Sequence, residues 1–337
     1  MSEAKLLLHP SDQPVFRLLV DVRSCVCEVR INDVPVWSNV TGTASRATLS
    51  INEWLFAGEN EIALNLTAPP GVEVKPHSEA ILPEAAVVQC SLLYKRNRAP
   101  WLSMQELLPW SYNHKEDFKN AGIFNPHEHH VHPAPEAAPA EEPAAPAPAA
   151  PTPAPAAAPA PILSPGQTIS LPIIPTAIDW LPGSVGLHGG FTISVPSVWP
   201  ACPWDRALDL SAMPGLDYTV SRLIRSAADS LQRRDWVGLR RLFADRRAAL
   251  QTAYYLNEAA CDEALAFPEL LKPPETKAVS PDAQTIKGIV CGHGKLLRAV
   301  AGDPPSPALS LICPSLGCQA EIETFWFNNG QEWRLAR

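Results

Sequence analysis

The stretch CVCEVRINDVPVW, residues 25–37, decides the fold of the first part of the chain. Small and apolar residues occupy every second position from Cys25 to Ile31, and the positions between them carry two charges. This period of two predicts a β-strand with one face in contact with water. Asn32-Asp33 is typical of a turn. Pro35 then predicts an edge strand, because proline cannot donate to a central ladder.

The same kind of pattern recurs on both sides of this stretch. Val15–Val22 is a β-branched and aromatic run, Glu61–Leu66 alternates with its apolar residues on one face, and Val87–Tyr94 is a further strand candidate. Residues 52–55 lie between two of these runs and predict one short helical turn. Many short strands separated by turn signals predict an all-β sandwich.

Two segments carry a family resemblance: RINDVPV, residues 30–36, and INEWLFAGENEI, residues 51–62. Over about residues 15–66 the chain resembles the galactose-binding-like jelly-roll family, in which a strand ends in an N-G-type turn and a G-x-N turn introduces a later strand. The resemblance implies a jelly-roll-like sandwich. Asp33 stands where glycine is usual, and the family holds its ligands with loop residues outside these segments, so no sugar-binding residue is implied here.

The same pattern is similar to that of uncharacterised bacterial proteins that accompany type VI secretion effectors. This second resemblance implies an immunity or adaptor role in a bacterial secretion system.

Residues 133–161 are almost entirely proline and alanine. Proline has no amide donor and clashes with the preceding turn, so no helix runs through such a segment. We expect a solvated, disordered tract with polyproline II character. Together with the histidine-rich residues before it, this tract forms a predicted insertion at 125–165.

After the tract, the sequence again has the pattern of β-strands. Phe191–Val195 alternates, and no helical pattern occurs before Pro203. We therefore predict that residues 1–205 form one sandwich domain, interrupted by the insertion. The alternative, in which the tract is a linker between two domains, stays open.

A second domain is predicted at 216–337, after a linker at 206–215. Its first helix carries an apolar stripe, and a second helix that follows Asp235 is expected to turn Trp236 and Phe243 inward. A third helix is predicted from Arg246 to Leu265, and strand candidates follow it. Helices followed by an antiparallel sheet are typical of an α+β domain. The stripe of the first helix consists of Val220, Leu223, Ile224, Ala227, Ala228 and Leu231.

The segments RDWVGLRRLFAD, residues 234–245, and EWRLA, residues 332–336, carry a second resemblance. Residues 216–337 resemble the nuclear-transport-factor-2-like (NTF2-like, or cystatin-like) superfamily, in which a long helix, a short helix and a curved antiparallel sheet make a cone. That family usually places a hairpin soon after the second helix, whereas the pattern at 246–265 predicts a further helix here.

Enzymes of this superfamily use an aspartate base and a tyrosine donor inside the cone. The polar residues that the resemblance brings near such a cone are Tyr254, Tyr255, Asp262 and His293. We take these four as pocket or partner-contact residues. None of them lies in a motif that fixes a catalytic role, so no catalytic residue is assigned.

Trp37 and Trp54 are the aromatic candidates of the first domain. Tryptophan faces bind sugars by stacking, but large aromatic residues also contribute much of a core by area. We expect both to close the core at strand ends, with a role in a pocket or a partner contact as the alternative.

The segment HEHHVH, residues 127–132, is a cluster of imidazoles. Imidazoles bind Zn²⁺, Ni²⁺ or Cu²⁺, but a structural zinc site needs four ligands fixed by the fold. We expect a solvated segment that chelates weakly, and we assign no metal and no cofactor. The candidate ligands are His127, His129, His130 and His132.

Composition limits the classes of partner. The formal net charge is −8, and no domain has the basic excess of a nucleic-acid-binding protein. The apolar run near the first residue is too short for a signal peptide, and no stretch approaches the length of a membrane helix. We therefore expect a cytoplasmic protein whose eight cysteines are buried thiols.

These observations favour a non-catalytic binding protein that acts through protein–protein contacts. Two alternatives remain. The first is a cone that binds or converts a small molecule, and the second is carbohydrate binding by the sandwich.

Overall fold

The computed structural model describes residues 4–8, 13–118, 169–182, 185–195, 202–265 and 271–336. The Pro/Ala tract and the histidine cluster, predicted above as a disordered insertion and a chelating segment, lie outside the described residues.

The N-terminal region, up to residue 195, contains the strands of the predicted sandwich and one short helix. In chain order these are β1 Ala4–Leu8, β2 Pro14–Arg23, β3 Val26–Ile31, β4 Val34–Ser38, β5 Ser45–Ser50, β6 Gly58–Thr67, β7 Val87–Arg96, β8 Gln105–Asn113, α1 His114–Asp117, β9 Ile169–Trp180 and β10 Gly186–Val195.

These strands form two antiparallel sheets. One has six strands in the order β1-β9-β10-β6-β3-β4, and the other has four in the order β5-β2-β7-β8. The inward residues of both sheets share one apolar core, which includes Leu18 and Val20 from one sheet and Leu64 and Phe191 from the other. The all-β N-terminal region is therefore confirmed, and β4 with its Pro35 is an edge strand as predicted.

The two segments on which the first resemblance rests are joined to each other by hydrogen bonds inside this region. Asn32 and Asp33 both have positive φ and make the turn between β3 and β4. The buried Asn32 Nδ2 donates to the Trp54 carbonyl and to Asn60 Oδ1, at 2.8 Å each. Asn32 Oδ1 accepts from the Glu61 amide at 3.0 Å. These asparagines therefore hold turns.

The chain on both sides of residues 119–168 contributes to the same sheet. β10 pairs with β6 along its whole length and with β9 on its other side. Phe191 and Ile193 of β10 are fully buried in the core shared with the early strands. The boundaries at residues 125, 165 and 205 stay a prediction.

The C-terminal region, from residue 202, places helices before strands. In chain order these are α2 Leu216–Gln232, α3 Trp236–Leu242, α4 Ala244–Tyr254, α5 Glu258–Ala264, β11 Lys277–Val279, β12 Ile286–Cys291, β13 Leu296–Ala301, β14 Ser306–Pro307, β15 Ser310–Cys313, β16 Cys318–Glu321, β17 Phe325–Asn328 and β18 Trp333–Leu335.

The strands of this region are divided between two sheets. One has the order β11-β15-β16, and the other has the order β12-β13-β17-β18, with β14 paired to β13. The predicted stripe of α2 packs against them: Val220, Ile224 and Leu231 are buried, and Leu223 is partly buried. The NTF2-like cone, with one curved sheet, stays a prediction.

Two details of the helices differ from the prediction. Trp236 is 43% exposed, because it lies at the first position of the short helix α3, beyond the edge of the core. The predicted helix at 246–265 is two helices. Tyr255 ends α4 in the left-handed region at φ 58°, and Asn257 then caps α5 by accepting the Ala260 amide at 2.9 Å.

The strand after the Pro/Ala tract supplies the first test of this architecture. Replacing Phe191 with alanine removes a fully buried ring from the sandwich core. We expect a loss of about 3–5 kcal/mol in the free energy of unfolding, measured by urea denaturation. Thr192→Ala, on the opposite face of β10, is the control and should lose much less. Equal small losses in both variants would contradict the placement of β10.

The stripe of α2 supplies the second test. Ile224→Ala should cost about 2–5 kcal/mol, because Ile224 is fully buried between the helix and the sheet. Arg225→Ala, at the next and exposed position, should change stability by less than about 0.5 kcal/mol. A small loss at Ile224 would show that α2 does not pack as described.

Candidate functional site

The two regions are packed against each other. The apolar core of the sandwich also contains residues from the C-terminal strands, among them Leu296, Phe325 and Phe327. The contact between the regions is therefore a continuation of the sandwich core, and a cleft at this junction has walls that are held in place.

Three consecutive residues of the turn 52–54 each make a specific contact across the junction. The buried Asn52 Nδ2 donates to the Ala253 carbonyl of α4 at 2.7 Å. The Glu53 carboxylate pairs with Arg246 at the other end of α4, and both side chains are largely buried. The Trp54 ring packs edge-on against Phe325 of β17, with 5.7 Å between ring centroids.

Asp33 makes a second set of contacts across the junction. Its carbonyl accepts from the Gly292 amide at 3.3 Å, and its Oδ2 accepts from the His293 amide at 3.2 Å. Arg30 donates to Asp33 Oδ1 at 2.8 Å and thereby holds the carboxylate in place. The Asp33 carboxylate and carbonyl thus bind the β12–β13 turn.

A cleft of about 570 Å³ lies where α4 and α5 cover the outer face of the four-stranded sheet. This volume is within the range of ligand pockets, which occur preferentially at domain interfaces. We call it the interdomain cleft. It is lined by Val15, Arg17, Ser50, Glu53, Lys95, Asn97, Arg246, Leu250, Tyr254, Leu256 and Ala264.

The floor of the interdomain cleft follows from strand register. Val15 of β2 lies directly opposite Lys95 of β7, and Arg17 of β2 lies directly opposite Ser50 of β5. Directly opposite residues share a face of a sheet, as do residues two apart on one strand. All four side chains therefore lie on the outer face of the sheet.

The opposite wall follows from helical spacing. Arg246, Leu250 and Tyr254 are four residues apart on α4, so they lie on one face of that helix. Leu256 and Ala264 extend this wall. The wall is largely apolar, with a cation at one end and a phenol at the other.

The described residues that line the interdomain cleft carry charges of both signs. Three of its lining residues, Arg17, Lys95 and Arg246, carry positive charge, and one, Glu53, carries negative charge. Lys95 is 6% exposed and donates to the carbonyls of Asn97 and Ala99 at 3.1 and 2.9 Å. Burial and, after it, the charge of Arg17 hold the pKa of the Lys95 ammonium below its ordinary value.

The four candidates of the predicted cone are not brought together. Tyr254 lines the interdomain cleft. Tyr255 is half-buried, and burial, followed by Tyr94, raises its pKa to about 12. Asp262 pairs with Arg247 and lies 3.6 Å from Arg240, so it is part of an ion-pair network. His293 is an exposed residue of the β12–β13 turn.

The two aromatic candidates of the sandwich, Trp37 and Trp54, also lie in different environments. Trp54 is 2% exposed and packs in the core. Trp37 is half-buried against the same core, on the edge strand β4. The expectation that these rings close the core at strand ends, and its alternative of a pocket or partner contact, stay predictions.

A second cavity lies beside α1 and is lined by His114, Lys115 and Phe118 with residues 79–84. His114 is buried, and both of its ring nitrogens have partners within the chain: the Tyr112 hydroxyl at 2.8 Å and the Glu79 carbonyl at 2.7 Å. The imidazole is thus held by internal contacts, and we take the interdomain cleft as the candidate site.

Arg17 and Lys95 were missed by the sequence analysis. Arg17 is a charge within the apolar run of β2, which is a signal for a residue on the outer face of a strand. Its proximity to Lys95 depends on the pairing of β2 with β7, which brings together positions 78 residues apart.

Comparisons with protein-family models, with curated proteins and with solved structures give no match for this chain. Within the part of the chain that the structure describes, no helix is long and apolar enough to cross a membrane. No group of three or more His, Cys, Asp or Glu side chains among the same residues is placed to hold a metal ion. The eight cysteines are free thiols, and seven of them are buried.

The ion pair between Glu53 and Arg246 supplies a test of the junction. Glu53→Gln leaves the guanidinium of Arg246 buried without its carboxylate, which typically costs about 3–5 kcal/mol. We expect this loss in urea denaturation of the full chain.

The matched control is the double variant Glu53→Gln with Arg246→Met, which removes both charges and should recover most of the lost stability. A single variant as stable as the parent protein would show that this pair does not hold the junction.

Proposed function

We propose that this protein acts by binding a partner protein, without catalysis, and that the partner inserts a segment into the interdomain cleft. The observation that carries this proposal is the cleft itself, which both regions build and which the turn 52–54 holds open. A binding surface that needs no rearrangement before contact loses less free energy to ordering.

The walls of the cleft support a peptide segment as the ligand. Val15, Leu250 and Leu256 supply apolar area, while Arg17 and Lys95 supply charge on the floor. Recognition sites combine apolar walls, which contribute affinity, with a few polar groups that fix orientation. An extended segment presents side chains of both kinds to such a cleft.

The proposed biological setting rests on the resemblance of residues 15–66 to proteins that accompany type VI secretion effectors. In that setting the protein is an immunity or adaptor protein, and its partner is an effector or a component that delivers one. The product of an adjacent gene is then the first partner to examine.

The test uses the purified full chain and the purified products of the genes beside it, with binding measured by calorimetry. Ala264→Trp places a bulky ring at an exposed position that lines the cleft. We expect it to weaken partner binding by about tenfold or more, corresponding to about 1.4 kcal/mol.

The matched control is Ala259→Trp, an exposed position on the same helix α5 that does not line the cleft. It should leave the affinity within about twofold, because surface substitutions away from a site have small effects. Equal affinities of the two variants for a bound partner would exclude the cleft as the contact site.

A further inference from the structure

The hairpin of β15 and β16 places two cysteines directly opposite each other. Residues 313–318 read Cys-Pro-Ser-Leu-Gly-Cys, and the antiparallel pairing of the two strands makes Cys313 and Cys318 partners in register. Directly opposite residues of an antiparallel pair have their side chains on the same face of the sheet. The two thiols are therefore neighbours on one face of the hairpin.

The backbone separation of this pair suits a disulfide. Directly opposite Cα atoms of an antiparallel ladder are about 4.5 or 5.5 Å apart, depending on whether the pair is hydrogen-bonded. A disulfide usually joins residues whose Cα atoms are about 4.4–6.8 Å apart. Both ladder distances lie in this range, so the two sulfur atoms can be joined without a large movement of the backbone.

The hairpin keeps its register without the disulfide. Gly317 ends the turn Pro314–Leu316 at φ 58°, and its amide donates to the Pro314 carbonyl at 3.1 Å. On its other side β15 pairs with β11, and Leu311 of β15 is buried in the core of the C-terminal region. The two thiols are thus held together by the fold before any bond forms between them.

The two cysteines differ in exposure. All eight cysteines lie within the described residues, and Cys318 alone among them is partly exposed. Pro314, Ser315 and Gly317 beside it are exposed as well. A reagent in solution therefore reaches Cys318. Cys313 is 1% exposed, but it needs to meet only the sulfur of Cys318.

The other cysteines that lie close together are protected from such chemistry. Cys25, Cys27 and Cys90 are all 0% exposed in the sandwich core. Burial raises the pKa of Cys25 and of Cys90 to about 12, and burial, followed by these two neighbours, raises the pKa of Cys27 well above its ordinary value. Because the thiolate is the reactive form, this group is expected to stay reduced.

We infer that Cys313 and Cys318 form a reversible modification site, at which a small-molecule disulfide such as oxidised glutathione converts the two thiols into an intramolecular disulfide. This inference does not depend on the proposed function and goes beyond it, because the reaction needs no partner protein.

The reaction is a two-step thiol–disulfide exchange. The Cys318 thiolate attacks one sulfur of oxidised glutathione, forms a mixed disulfide and releases one glutathione thiolate. The Cys313 thiolate then attacks the Cys318 sulfur and releases the second. The protein loses two electrons and two protons, and two glutathione thiols receive them. Ser315 Oγ lies 3.5 Å from Cys313 Sγ, so its hydroxyl can donate to the thiolate that forms there.

The experiment treats the folded full chain with millimolar oxidised glutathione and then alkylates the remaining thiols under denaturing conditions. Both cysteines fall in the tryptic peptide of residues 299–334, which contains no other cysteine. We expect mass spectrometry to show that this peptide has lost two hydrogens and carries no alkyl group, while the six other cysteines are alkylated. After further cleavage behind Leu316, the two halves should stay joined until they are reduced.

Variants separate the two roles. Cys313→Ser lacks the resolving thiol and should stop at the mixed disulfide of Cys318 with glutathione. Cys318→Ser should leave Cys313 reduced, because Cys313 is buried. Cys202→Ser is the control and should still form the disulfide, since serine can also donate to the Glu53 carbonyl that the Cys202 thiol contacts.

A comparison in urea tests whether the hairpin, and not the short spacing in the sequence, brings the thiols together. At one fixed ratio of oxidised to reduced glutathione, the ratio of disulfide to dithiol at residues 313 and 318 should be about tenfold higher or more in the folded protein than in urea, because the register raises the effective concentration of one thiol at the other. Equal ratios would overturn the inference.

Three other results would also overturn it. They are two thiols that stay reduced in the parent protein, a mixed disulfide at Cys318 that Cys313 does not resolve, and a bond between the Cys318 residues of two copies, seen as a dimer on a non-reducing gel. These results are read from the parent protein, so the test holds even where Cys313→Ser does not fold.

Discussion

The structure depends on one short turn at residues 52–54. Asn52 accepts from the Phe16 amide at 2.7 Å and donates to the carbonyls of Pro14 and Ala253, so one amide joins the start of β2 to the end of α4. Glu53 pairs with Arg246 near the start of the same helix. Because α4 is bound near both of its ends, these contacts set its distance from the sheet beneath it.

In the turn at Asn32-Asp33, an aspartate occupies a position where glycine is common, and its carboxylate has a structural role. Both residues have positive φ, a conformation in which glycine is usual and asparagine and aspartate are tolerated. Glycine at position 33 would avoid the conformational cost, but it has no carboxylate for the His293 amide or for Arg30. The strained turn thus provides an anchor for the C-terminal region.

The sequence alone was sufficient for features that depend on a single strand or helix. Alternation placed Cys27, Val29 and Ile31 on one face of a strand, and all three are fully buried. The sequence was insufficient for features that depend on which strands pair and in which register. In the interdomain cleft, Arg17 and Lys95 lie on one face of the sheet, and this arrangement depends on strand register. The break at Tyr255 was missed because the apolar spacing continues across it, although Asn257 is a recognisable helix cap.

The position of β9 and β10 has a consequence for the covalent chain. All ten residues of β10 are paired in register with residues of β6, and Phe191 lies in the core among the early strands. The chain before residue 119 and the chain after residue 168 are therefore held together by the pairing of their strands in one sheet, and not by the peptide connection between them. A chain cut within that interval would remain a single folded body, and two fragments produced separately could reassemble into it.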